Sequence, residues 1–491
     1  MPTASPLLNL LSQPSGQPTL GFAQVGFAQD GLPSSLLAAV QSTAPALAET
    51  VTESASADPS LVLAAVLLSL VIIYLASKLG GEICDRINLP PVLGELVAGV
   101  LVGISALHLL IFPGQGIDAS MSLIMQLLQG STAMSLPELQ ATFEAQSEVI
   151  SVLSELGVVI LLFEIGLESN LKELLKVGVQ ATIVAVVGVA VPFGLGTAGL
   201  MSFFSVPAIP AIFAGAALTA TSIGITAKVL SELGRLTSRE GQIIVGAAVM
   251  DDVLGIIVLA VVGGLVKTGE IQISNVLYLI VSAAVFLVGG VWVGRLFMPF
   301  FLSLVANLKT RGQLLISSLI FAFTLSYIGA VIQLEAILGA FIAGLILAET
   351  DKRKELEEQV VPIADMLVPV FFVVVGARTD VSVLNPFDPS NREGLIIAAF
   401  LIVVAIVGKV VTGFTVFGQP GINRLAIGVG MIPRGEVGLV FAAYGASSGV
   451  LNASLQAAII VMVILTTFLA PPLLRLVFTS SPTPELTSQA D

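Results

Sequence analysis

GQIIVGAAVMDDVLGIIVLAVV, residues 241–262, decides the fold. The stretch is apolar over the roughly 20 residues that a helix needs to cross a bilayer, yet it carries Asp251 and Asp252 near its middle. A charge at the bilayer centre costs about 2.5 kcal/mol or more, so two adjacent carboxylates there need a chemical reason. Neighbouring residues on a helix point about 100° apart. The two cannot both face one partner at one depth, and two different roles are expected.

The surrounding sequence has the same character. Of 491 residues 56% are hydrophobic and 11% charged, the mean hydropathy is +1.02 and the net charge is −13. Soluble domains carry about 25% charged residues, so a soluble multidomain enzyme is excluded and an all-α polytopic membrane protein is expected. Thirteen segments are candidate spans: 61–79, 91–111, 150–168, 177–201, 207–230, 241–266, 275–303, 311–331, 333–349, 361–376, 394–417, 423–447 and 454–477. A single cysteine, Cys84, and a single histidine, His108, exclude an internal disulfide framework and any multi-cysteine or multi-histidine metal site.

Lys and Arg accumulate on the cytoplasmic side of short membrane loops, and here they alternate. Residues 1–77 and 112–149 contain none. Lys78 and Arg86, Lys172 and Lys176, Lys228 with Arg235 and Arg239, Arg295 with Lys309 and Arg311, and Lys352 to Lys354 fall in the odd loops. Only Lys267, Arg378 and Arg392 fall opposite. The N-terminus is therefore expected outside and the C-terminus inside. Residues 1–60, rich in Ala, Ser, Pro and Gln without a basic start, read as a disordered external tail rather than a signal peptide. Residues 61–477 read as the membrane domain, 121–130 as a short interfacial helix and 478–491 as a short cytoplasmic tail, with no nucleotide-binding domain appended.

A weak internal repeat is present. LGELVAGVLVG at 93–103 matches LGAFIAGLILA at 338–348, and FEIGLESN at 163–170 matches VVVGARTD at 373–380. Both matches join spans seven apart. An odd offset reverses the crossing direction, so spans 1–6 and 8–13 form two inverted six-helix repeats with span 7 as linker, an architecture of secondary transporters. Discontinuous helices are then expected in corresponding spans. The fifth carries Thr219, Ala220, Thr221 and Ser222 before Gly224; the twelfth carries Met431-Ile432-Pro433-Arg434-Gly435-Glu436. Small hydroxyl residues can satisfy freed backbone groups, and proline removes a donor. Broken helices at membrane depth are tolerated where they are buried in protein or line a watery cavity, so the two are expected to cross near the midplane.

Lys409 lies inside the eleventh span. Charge balance calls for an ion pair between it and one of the two aspartates, leaving the other facing water and cation. Burial penalises the charged form of both kinds of group, which suits groups that exchange protons. Glu164, with Glu168 nearer the end of the third span, and Arg434 with Glu436 in the twelfth are the remaining intramembrane charges; Glu164, Arg434 and Glu436 are expected to form a structural network, with Arg434 bridged to Glu164 or Glu436.

At these residues the sequence closely resembles bacterial sodium/proton antiporters of the monovalent cation:proton antiporter-2 superfamily. The likeness spans about residues 61–477 and rests on FEIGLE at 163–168, TATSIGITAKVLSELGRL at 219–236, GAAVMDDVLGIIVLA at 246–260, VGKVV at 407–411 and MIPRGEVGLVFA at 431–442. It implies thirteen helices, a six-helix core crossed by two broken helices, a dimerisation domain, and elevator-like alternating access in a homodimer. It also implies that Asp252 binds Na⁺ or a proton in turn, with Asp251 and Thr219 beside the Na⁺, that Asp251 partners Lys409, and that Thr219 to Ser222 form the unwound crossover. Relatives with Asn at the first aspartate tend to be electroneutral; the Asp-Asp-Lys set here resembles the electrogenic class, which exchanges two protons per sodium ion. The expected partners are Na⁺ or Li⁺, protons and the lipid bilayer of a bacterial inner or internal photosynthetic membrane, with no cofactor and no nucleic acid.

A K⁺/H⁺ antiporter or K⁺ efflux system of the same superfamily is the nearest alternative. A passive channel does not require paired buried titratable groups. An intramembrane aspartyl protease needs two facing carboxylates that share a proton, whereas Asp251 and Asp252 are directed apart.

Overall fold

The computed structural model describes residues 57–479 except 115–116, 133, 269–272, 308, 388–390 and 419–420. The expected tails at 1–60 and 478–491 therefore lie almost wholly outside the described residues. Among the described residues every regular element is helical: α1 Pro59–Arg86, α2 Pro91–Val102, α3 Leu123–Ser131, α4 Leu136–Glu168, α5 Leu171–Phe203, α6 Ala208–Ala217, α7 Ile223–Glu232, α8 Arg239–Thr268, α9 Ile273–Ala284, α10 Gly290–Ala306, α11 Gln313–Val331, α12 Ala336–Ala348, α13 Arg353–Ala377, α14 Arg392–Gly413, α15 Arg424–Gly430, α16 Glu436–Ser447 and α17 Ala453–Thr479. A π-helical turn, Val285–Gly289, joins α9 to α10.

Local chemistry sets the ends. Asp58 caps α1 by accepting from the Ser60 N–H, with Pro59 in the first turn. A capping box between Ser135 and Glu138 opens α4. Ser122 caps α3, which occupies the stretch expected to be an interfacial helix. The second span is shorter than the apolar run 91–111: α2 stops at Val102 because Gly103 runs against α13, where a side-chain carbon would meet the Ala377 carbonyl oxygen at 2.3 Å.

Nine helices or joined helices are long and apolar enough to cross a membrane among the described residues. The remaining crossings are α2, α12 and the pairs α6–α7 and α15–α16, which complete the thirteen spans. The two short spans are the second and ninth, and the two broken ones the fifth and twelfth, so short corresponds to short and broken to broken under the repeat.

Packing repeats as well. Where α2 crosses α13, a Cβ on Gly99 would lie 2.4 Å from the Val373 carbonyl oxygen and 2.9 Å from the Gly376 Cα. Where α12 crosses α4, a Cβ on Gly344 would lie 2.3 Å from the Phe163 carbonyl oxygen and 2.8 Å from the Gly166 Cα. The sequence repeat pairs Gly99 with Gly344 and Gly166 with Gly376, so these two crossings are one contact made twice. In the same register Gly94 meets Gly80 of α1, and its counterpart Gly339 meets Leu325 of α11. Backbones approach this closely only where side chains are absent, which is how membrane helices gain packing without a hydrophobic drive between them.

The helices segregate into two groups. α1, α2, α4, α11, α12 and α13 pack on one another; α5 to α8 and α14 to α17 pack on one another. The α9–α10 span bridges them, α9 on α8 and α10 on α12, where Arg295 grips Glu349 through two hydrogen bonds of 2.5 and 2.6 Å.

Replacing Gly344 with Leu is expected to destabilise the protein by about 1–3 kcal/mol or more through overpacking. Gly178→Ala in α5, where a Cβ meets nothing within 4 Å, is expected to leave stability unchanged or slightly raised. Melting temperatures of the purified proteins in detergent check this, and equal values for wild type and Gly344→Leu would reject the close crossing.

Candidate functional site

The site begins with two interruptions in the backbone. α6 ends at Ala217 and α7 starts at Ile223; α15 ends at Gly430 and α16 starts at Glu436. Each break frees carbonyls at one helix end and N–H groups at the next, and the two breaks satisfy each other. Ser222 N–H donates to the Pro433 carbonyl at 2.9 Å. Thr221 Oγ1 donates to the Met431 carbonyl at 3.2 Å and Thr226 Oγ1 to the Gly430 carbonyl at 3.0 Å. Arg434 Nη1 donates to the Ala220 carbonyl at 3.0 Å and to that of Met431 at 3.5 Å, while the Arg434 carbonyl accepts from Thr467 Oγ1 of α17 at 2.5 Å. Thr219 Oγ1 donates back to Ala216 at 2.7 Å. Gly435 permits the crossing, since a Cβ there would sit 2.9 Å from Ser222 Oγ.

α8 runs beside this crossing. Gly255, one turn beyond the aspartates, lies against Ala220 of the first break and Val437 of α16. Asp251 is fully buried and Asp252 is 5% exposed. Of the two, Asp251 meets Lys409: the ammonium, also 0% exposed, donates to Oδ2 at 2.8 Å. Gly188 of α5 makes room, because a Cβ there would lie 3.1 Å from Lys409 Nζ. α5, α8, α14 and both broken spans thus place two carboxylates, an ammonium and a guanidinium beside unwound backbone. A protein group that must hold a small hard cation uses oxygen ligands of this sort, carboxylate, hydroxyl and carbonyl.

Glu164 is not part of this cluster. It sits in α4, within the field of Lys228, Glu168 and Asp365. The expected Arg434–Glu164 bridge is absent among the described residues: the guanidinium turns to the carbonyls of the breaks, where two helix C-ends gather partial negative charge. The side chain of Glu436 lies outside the described residues, so the bridge expected from Arg434 to it does as well. Two further acids escaped the sequence reading. Glu95 of α2 accepts from Ser77 Oγ at 2.7 Å and shares the field of Lys228 with Glu232 of α7. Their signal was present, since Glu95 interrupts the apolar run VLGELVAGVLV and Glu232 lies within SELGRL.

Residues 65–479 match the sodium/hydrogen exchanger transmembrane family. The chain belongs to that family. Within the exchanger family it is 71% identical over 429 residues to the high-affinity Na⁺/H⁺ antiporter NhaS3 of Synechocystis sp., covering 87% of this chain and 93% of that one. It is 31% identical over 413 residues to the Na⁺/H⁺-K⁺ antiporter GerN of Bacillus cereus, covering 83% and 95%. Among solved exchangers the sodium proton antiporter MjNhaP1 of Methanocaldococcus jannaschii shares the fold, with a TM-score of 0.56 at 16% identity over 84% of this chain and 96% of that one. The inverted architecture read from the glycine repeat is thus that of an exchanger, and the chain is an integral membrane protein of a transporter family.

Removing one partner of the buried Asp251–Lys409 pair leaves an uncompensated charge, worth about 3–5 kcal/mol. Lys409→Met alone is therefore expected to lower the melting temperature sharply, and Asp251→Asn with Lys409→Met to recover much of the loss. A double-mutant cycle in detergent measures it; simple additivity would mean that the pair contributes nothing as a pair.

Proposed function

We propose that the protein is a secondary antiporter that exchanges Na⁺, or Li⁺, for H⁺. The observation that carries this reading is the Lys409–Asp251 pair held out of water next to Asp252 at the crossing of two broken helices. Charge that is expensive to bury is retained where it moves ions or protons.

In this reading Asp252 holds a proton or a cation in turn. Asp251, the Thr219 hydroxyl and carbonyls of the 219–222 break complete the oxygen shell around Na⁺. A Na⁺ that draws on Asp251 takes from Lys409 its counter-ion, and a buried ammonium so deprived releases its proton. One proton leaves Asp252, a second leaves Lys409, and one Na⁺ enters, so one net charge moves per cycle. Coupling to voltage follows at about 2.3 kcal/mol per elementary charge per 100 mV. Arg434 supports the site without carrying cargo, and Glu164 lies apart from it.

Alternating access proceeds as an elevator. The group α5–α8 with α14–α17 carries the site past the group α1, α2, α4 and α11–α13, which forms the dimerisation side of a homodimer, and α9–α10 links the two. The alternation of Lys and Arg along the loops supports an external N-terminus and a cytoplasmic C-terminus, in a bacterial inner membrane or an internal photosynthetic one. The 71% identity to an antiporter whose name specifies Na⁺ and H⁺ supports Na⁺ as cargo, with a role in pH homeostasis.

Reconstitution into liposomes with a trapped pH dye tests the reading. Pulses of Na⁺ and Li⁺ are expected to move protons, K⁺ much less, and Asp252→Asn to abolish the response. Wild-type rates in Asp252→Asn would remove the assigned site, and a reversal point indifferent to an imposed potential would remove the stoichiometry of two protons per sodium.

A further inference from the structure

The two helix groups meet where α7 of one lies on α4 and α2 of the other, and where α17 lies on α2. α7 is the half of the fifth span that carries Lys228 and leads to Arg235, so this seam belongs to the end of the bundle where Lys and Arg collect. Its floor is apolar and its rim is polar. At Gly224, where α7 begins, a Cβ would lie 3.5 Å from Val158 of α4 and 3.6 Å from Phe371 of α13, which is ordinary van der Waals contact. At the far end of α7, Ser231 Oγ donates to Glu168 Oε2 of α4 at 3.0 Å. The next residue, Glu232, turns its carboxylate to the Val92 N–H of α2. Beside them Arg475 Nη2 of α17 reaches Asn88 Oδ1 of the α1–α2 loop at 3.5 Å.

Glu232 answers a local need. The first turn of a helix leaves N–H groups without an intrahelical acceptor, and α2 opens on Pro90 and Pro91, of which Pro90 supplies no capping side chain. Negative charge is favoured at such an end by the helix dipole. Lys228, one turn before Glu232, adds attraction across the seam, since its charge is felt by Glu95, Glu164 and Glu168 of the opposite group. Apolar surfaces can slide past one another with little directional preference, whereas these polar contacts exist in one relative position of the two groups. Ser231, Glu232 and Glu168 are half-buried, so water can take over each partner once the groups part.

We propose that Ser231 and Glu232 form a latch that holds α7 against α4 and α2, closes the seam at the Lys- and Arg-rich end, and must release Glu168 and Val92 before Asp252 can be reached from that side. The inference rests on the alternating access proposed above. It gives the moving group a defined resting position in place of a continuum of positions, because leaving it breaks a hydrogen bond to a charged acceptor together with the apolar contacts beneath.

Thiol labelling of the full chain in detergent tests the latch, with Cys84 replaced by serine. Gly224→Cys places a reporter in the seam, and Ser318→Cys places one in α11, where the serine is fully buried away from α7. Adding Ser231→Ala and Glu232→Ala is expected to speed labelling of Gly224→Cys by a water-soluble maleimide about tenfold or more, the scale of losing hydrogen bonds to charged groups, and to leave Ser318→Cys as slow as before. An unchanged rate at Gly224→Cys overturns the proposal. Equal acceleration at both reporters also overturns it, since that marks general loosening. If the double alanine variant does not fold, Ser231→Ala alone is expected to speed the seam reporter several-fold, and an unchanged rate there overturns the proposal equally. Failure of the underlying reading looks different, because the wild type would then show no Na⁺-driven proton movement in liposomes or would retain it in Asp252→Asn.

Discussion

Everything in the centre of this protein depends on the need to satisfy backbone groups at a depth where water is scarce. Two helices stop and restart at membrane depth, and the freed carbonyls and N–H groups have no solvent to turn to. They are tied to each other instead: Ser222 to Pro433, Thr221 to Met431, Thr226 to Gly430, Arg434 to Ala220. Neither break is tolerable alone. The crossing fixes where α8 and α14 run, and with them where Asp251, Asp252 and Lys409 meet.

The scaffold is symmetric and the chemistry is not. Gly215 of α6 packs on Thr197 of α5 as Gly428 of α15 packs on Val410 of α14, and in that register the breaks coincide residue for residue. In the same register Arg434 corresponds to Thr221 and Lys409 to Gly196. Duplication thus supplied two matching broken spans, while the charges were placed in only one copy at each position. A symmetric arrangement would bury two lysines or two arginines together; instead one of each stands with an Asp pair, Asp251 and Asp252, in one buried site.

The linker span shows how the two helix groups stay joined. α9 lies on α8, α10 on α12, and the change from one to the other occurs at the π turn Val285–Gly289, followed by Gly290. π turns leave helical hydrogen bonds irregular and recur at functional positions. The Arg295–Glu349 pair and the seating of Gly294 against Ile346 hold the α10 half to α12.

Much of this was legible from residues alone because the bilayer imposes strict rules. Apolar length counted the spans, the glycine pattern 93–103 against 338–348 revealed the inverted repeat, and Thr219 to Ser222 with Pro433 marked both breaks. Mid-span charge singled out Asp251, Asp252 and Lys409. What residues alone left open was partnership. Either aspartate was eligible for Lys409, and only the rotation of α8 against α5 and α14, with Gly188 clearing the way, selects Asp251. Arg434 was expected to meet Glu164 or Glu436; Glu164 lies elsewhere, and the crossing brings the guanidinium the Ala220 and Met431 carbonyls of the two breaks, which are freed by the fold and appear in no side-chain pattern. Composition and periodicity determine which groups must be buried, because transfer from water depends on the group itself. Which buried group meets which depends on helix rotation and close backbone contact, and those exist only once the spans have packed.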